Sequence, residues 1–72
     1  MKYFTAEAKP RSHIPQCHWR ECQAKSVEGA QNLAAARRVF QATTIYVGAM
    51  GTDGRIYPIR YRHYSAFWAH TL

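Results

Sequence analysis

Four zinc-type ligands fall close together at His13, Cys17, His18 and Cys22. Zinc requires every donor within about 2.0–2.3 Å of one ion. Residues 19–25 alternate like a strand, which spreads His18 and Cys22 about 13 Å apart at roughly 3.3 Å per residue. A helix would gather such pairs, but Pro15 lies inside the first of them. The two well-separated ligand pairs of a usual zinc site are also missing, so no metal and no cofactor is expected. Cys22 reads as a small core residue and Cys17 as a loop thiol.

Catalytic constellations are equally sparse. The carboxylates are Glu7, Glu21, Glu28 and Asp53, and an Asp-Gly turn already accounts for Asp53. No nucleophile elbow and no His–Asp pairing can be read from the residue order. Gly48, Gly51 and Gly54 run through a strand and a turn, with no helix following them to hold a phosphate. The expectation is a binding protein without enzymatic activity.

The segment from Arg55 to Tyr64 is more informative, because it interleaves cations with aromatics. Strand parity puts Ile56, Pro58, Arg60 and Arg62 on one face, and Arg55, Tyr57, Ile59, Tyr61 and His63 on the other. Tyr46 on the preceding strand joins the Tyr57 and Tyr61 face or lies against a helix. Arginine neutralises phosphates and tyrosine stacks on bases, so this face suits nucleic acid. The same residue types anchor protein interfaces. They also serve as plain cross-strand pairs beside a solvated cationic face. The residues alone leave these three readings open.

The elements that would position these groups follow from periodicity. Residues 2–9 alternate, with Phe4, Ala6 and Ala8 opposite Tyr3, Thr5, Glu7 and Lys9, and Pro10 ends this half-buried strand. Residues 11–18 read as a loop, and 19–25 as the second strand of a hairpin. Ser26 is a suitable N-cap, and Glu28 complements the start of the helix dipole. Val27, Ala30, Leu33 and Ala34 line one helical face, where the small alanines permit close approach to a sheet. Arg37 and Arg38 follow near the helix C-terminus, and Phe40 is the expected core plug.

Residues 43–50 are β-branched and aromatic, and 51–54 form a turn before the next strand. Pro58 lacks a donor, which makes that strand an edge or bulged there. Residues 65–71 can add a short last strand, with Phe67 or Trp68 closing the core. The predicted architecture is α+β: one domain over 1–72, with a small antiparallel sheet in ββαββ order and one helix packed across a face.

Length and charge bound the function class. A domain of 72 residues has a thin core, since chains near this length bury only about 60% of their unfolded surface. Ten Lys and Arg oppose four acids, for a formal net charge of +6. No carboxylate side chain follows Asp53, whereas Arg55, Arg60, Arg62, His63 and His70 do. That balance favours polyanions or acidic protein surfaces and excludes an acidic DNA mimic. No apolar run approaches the roughly 20 residues of a membrane span, and no signal-peptide core is read near the start. Two cysteines form no disulfide framework, so a cytoplasmic location is expected.

One family resemblance joins these elements. Ala24-Lys25-Ser26-Val27, then Ala30-Gln31, Leu33-Ala34, Phe40 and Thr43 resemble a pattern in small phage-encoded anti-CRISPR proteins. The pattern is a strand ending in Ala-x-Ser-hydrophobic, an Ala-rich helix, and Phe-x-x-Thr opening the next strand. It covers 20–70 loosely and 24–45 best, while residues 13–22 depart from it. The resemblance implies binding to backbone subunits of a type I, type I-F-like, surveillance complex in a bacterial host cell, and blockage of target DNA binding. It also implies that some relatives carry double-stranded DNA non-specifically. The candidate contact residues are Arg37, Arg38, Tyr46, Arg55, Tyr57, Arg60, Tyr61 and Arg62, on a monomer or weak dimer. The alternative is a small basic nucleic-acid-binding protein.

Overall fold

A computed structural model describes residues 1–8, 19–39, 43–63 and 67–70. Along the chain run β1 (Tyr3–Ala8), β2 (Arg20–Cys22), α1 (Val27–Ala36), β3 (Thr44–Met50), β4 (Ile56–His63) and β5 (Ala69–His70). The strands form one sheet in the order β2-β1-β3-β4-β5, and every neighbouring pair is antiparallel. The helix packs on one side, against β1 and β3. This is the α+β architecture that the alternation and the Ser26 cap predict.

The helix begins where its chemistry says it should. Ser26 sits in extended backbone and its Oγ accepts the Gly29 amide at 3.1 Å, which satisfies one orphan donor of the first turn. Ala30 and Ala34 face the sheet and are 0% and 3% exposed. Their small side chains bring the helix close above Ile45 and Val47, the two largest fully buried side chains. Burying each of these is worth about 1.5–3 kcal/mol. Tyr3, Cys22 and Ala49 complete this cluster, with Val27, Leu33, Ile59 and Trp68 half-buried around it.

Several expectations need correcting. The second strand is shorter than 19–25 and ends at Cys22, which is buried as expected. Strand β1 is buried on both faces: Tyr3 and Thr5 on the helix side, where α1 packs, are as covered as Phe4, Ala6 and Ala8 on the back. Trp68, not Phe67, packs against the core, and Phe67 is 96% exposed. The loop over 11–18, the strand end at Pro10 and the Phe40 plug lie outside the described residues.

Pro58 produces the largest change. Val47 pairs with Arg60 but Gly48 pairs with Pro58, so Ile59 is an extra residue and β4 is bulged there. One extra residue reverses strand parity on its far side.

Candidate partner-binding surface

The register settles which side chains share a side. On the helix side, Thr5 pairs with Arg20 and Val47, Val47 with Arg60, Ile45 with Arg62, and Ala49 with Tyr57. On the back, Phe4 pairs with Glu21 and Gly48, Tyr46 with Tyr61, Thr44 with His63, and Met50 with Ile56. Tyr57 and Tyr61 therefore stand on opposite sides, against the parity expectation. Pro58 and Ile56 likewise part from Arg60 and Arg62. Tyr46 joins Tyr61 on the back and does not lie against the helix.

Charge is segregated across the sheet. Arg20, Arg60 and Arg62 are the arginines of the described strands, and all three are on the helix side. Arg37, at the helix C-cap, reaches down to the same side. Its Nη1 donates to Thr5 Oγ1 at 2.9 Å, and both terminal nitrogens contact the Glu21 carbonyl at 3.4 Å. Among the described strand residues the back carries no Lys or Arg. Its aromatic side chains are Phe4, Tyr46, Tyr61 and His63.

The other candidates fall in separate places. Arg38 Nη2 donates to the Thr43 carbonyl at 2.7 Å, tying the chain after the helix to the start of β3. Arg55 is exposed beside the turn, where its amide donates to Asp53 Oδ1 at 3.0 Å. Tyr57 is 49% exposed and its hydroxyl donates to Asp53 Oδ2 at 2.5 Å. That bond holds the Asp53 carboxyl below its ordinary range, with the Arg55 amide helping, and raises the Tyr57 phenol. Burial, with a smaller contribution from Tyr61, raises the Tyr46 phenol. Arg60 and Arg62 are half-buried, and Arg62 Nε is covered without a partner.

Sequence reasoning passed over Glu7, Trp19 and the Thr44–His63 pair. The Glu7 carboxylate accepts the Val39 amide at 3.0 Å and the Thr43 hydroxyl, so it joins the helix exit to β3. Trp19 lies on the back over Gly48, where a Cβ would meet its ring at 2.9 Å and Ile56 Cγ2 at 2.8 Å. A glycine inside a β-branched strand is the signal of such a close approach. Thr44 Oγ1 and His63 Nδ1 share a 2.6 Å hydrogen bond, and the Tyr61 ring meets His63 edge-on at 5.1 Å.

Of the four zinc-type ligands, His13, Cys17 and His18 lie outside the described residues, and Cys22 is a buried free thiol. Among the described residues no group of three His, Cys, Asp or Glu could hold a metal ion. Nor is any described helix long and apolar enough to cross a membrane. The chain matches no family model, no curated protein and no solved structure.

Proposed function

We propose that this chain is an anti-CRISPR protein that binds the backbone subunits of a type I surveillance complex and blocks target DNA binding without catalysis. The observation that carries the reading is the segregation of Arg20, Arg37, Arg60 and Arg62 onto the helix side. A path that accommodates a nucleic-acid duplex is an electrostatic environment shaped around phosphates. Such a path is itself cationic and repels a cationic side. That side therefore faces the phosphates of nucleic acid or acidic patches beside the path, while the bulk of the domain obstructs it, needing no active site. The antiparallel sheet crossed by one helix is the fold that the resemblance implies, which adds support. The residues argued to make contact are Arg37, Arg38, Arg55, Tyr57, Arg60 and Arg62, with Tyr46 and Tyr61 offered from the back.

Plating of a CRISPR-targeted phage on type I hosts expressing the protein tests this. Expression should rescue plaque formation in one subtype. Arg60 and Arg62 are half-buried, so glutamine, which keeps part of the stem, is the cleaner neutral replacement. The R60Q/R62Q double variant should lose rescue while keeping its circular dichroism spectrum. Rescue undiminished in that variant removes this surface from the mechanism. The same segregation favours a second reading, direct binding to double-stranded DNA. In that case naked-DNA affinity falls steeply with salt and no protein partner is needed.

A further inference from the structure

A cleft of about 200 Å³ opens on the helix side between the end of α1, β1 and β2, lined by Thr5, Glu7, Arg20, Ala34, Arg37 and Val39. Arg20 and Arg37 both address Thr5, the first as its cross-strand neighbour and the second through a hydrogen bond. Arg37 is clamped by Thr5 and the Glu21 carbonyl, so its guanidinium is already held in place. The Arg20 side chain is exposed and has no hydrogen-bond or ion-pair partner among the described residues. One fixed and one free guanidinium over a single threonine form an incomplete ion-pair site.

We infer that this cleft receives the carboxylate side chain of a protein partner, with an apolar neighbour of that residue resting on Val39. Charge complementarity selects an anion, and two features, the opposing charge in the cleft and its apolar wall, select a carboxylate over a phosphate. Glu7 lines the same cleft and the last carbonyls of α1 end beside it; both oppose an anion, and the single charge of a carboxylate meets less of that repulsion than a phosphate dianion. The free Arg20 fork can give a carboxylate two parallel hydrogen bonds, as it could a phosphate, so this geometry fits either anion. Ala34 and Val39 make part of the wall apolar, and Val39 is 72% exposed, which fits a hydrocarbon stem. Prior fixation of Arg37 lowers the ordering cost of binding.

The inference deepens the proposed inhibitor reading by naming what its protein partner presents, yet its test needs no surveillance complex. Isotope-labelled protein is titrated with the blocked peptide acetyl-Leu-Glu-Ala-amide, its glutamine counterpart and inorganic phosphate, following the arginine Nε–H signals. The glutamate peptide should shift Arg20, Arg37 and Val39 saturably, and the glutamine peptide should bind roughly tenfold more weakly or worse. The R20Q variant should lose the glutamate preference with its remaining spectrum unchanged, and R20K should restore only part of it. Equal binding of both peptides, phosphate shifting the same signals more strongly, or no shift at all overturns the carboxylate site. None of those outcomes touches the plaque assay, so the two readings fail separately.

Discussion

Asp53 shows how one short side chain can organise a turn and set the titration of its neighbours. Its two oxygens accept the Arg55 amide and the Tyr57 hydroxyl, while Gly54 takes the positive φ of 80° that the turn requires. The hydrogen bond favours ionised aspartate and neutral tyrosine. Asp53, held low, therefore supports the turn above its unfolded pKa, and that support disappears as pH falls through the lowered value. Tyr57, held high, supports it below its ordinary pKa of 10.0, and that support disappears as pH rises through the raised value. Removing the acceptor in D53A should bring the Tyr57 titration down toward 10.0. Tyr46 should be unmoved, because burial and Tyr61, on the other side of the sheet, raise it. Ultraviolet difference titration of the tyrosines, with Y57F to assign the signal, checks this. A Tyr57 midpoint unchanged in D53A would mean that the turn bond does not persist in solution.

Among the elements, β3 and β4 carry the most consequence, since their pairing decides which side chains share a side. Gly48 is where that pairing changes register and where Trp19 crosses the back of the sheet. A methyl group there meets the indole and Ile56 at under 3.0 Å, and neither neighbour is at the free end of a long chain. G48A should cost about 1–3 kcal/mol through overpacking. Chemical denaturation should show it as a lower midpoint at unchanged slope. An unchanged midpoint would mean that Trp19 is not seated on the strand.

The same elements show how far the sequence carries. Alternation, Ser26 and the Asp53-Gly54 turn disclose the order of elements along the chain and the helix, because each is a local preference that the fold obeys. The pairing of β1 with β3 is not local and is not legible there. Pro58 even announces its own bulge. What it cannot announce is on which side of it the extra residue falls, and that one position decides where Tyr57 stands relative to Arg60. Trp19 over Gly48 and Glu7 beneath Val39 are contacts between distant segments, with no periodicity to betray them. The candidate site was thus legible as a set of residues and not as a surface.

At the scale of the whole molecule, the arginines raise the question of whether they stabilise the fold or burden it. The formal charge is +6, and the few carboxylates are not spent on neutralising the sheet. Glu7 serves the helix exit, Asp53 serves the turn, and Glu21 and Glu28 are exposed. Arg20, Arg37, Arg60 and Arg62 have no carboxylate partner among the described residues. Like charges gathered on one side of a thin domain oppose folding, and salt screens that repulsion over about 10 Å at 0.1 M. The melting temperature should therefore rise by roughly a few degrees between about 0.01 M and about 0.3 M sodium chloride. A protein held together by surface ion pairs shifts the other way, so a fall would refute the repulsion account. R60Q/R62Q separates structure from function on the same axis. If the pair is retained for binding, the variant should melt at the same temperature or higher and depend less on salt, even as it loses its partner. Arg60 does give one bond to the fold, from Nη1 to the Ile59 carbonyl at 3.0 Å, and glutamine is too short to replace it. A drop larger than that single hydrogen bond explains, about 0.5–1.5 kcal/mol, would instead make the two arginines part of the scaffold.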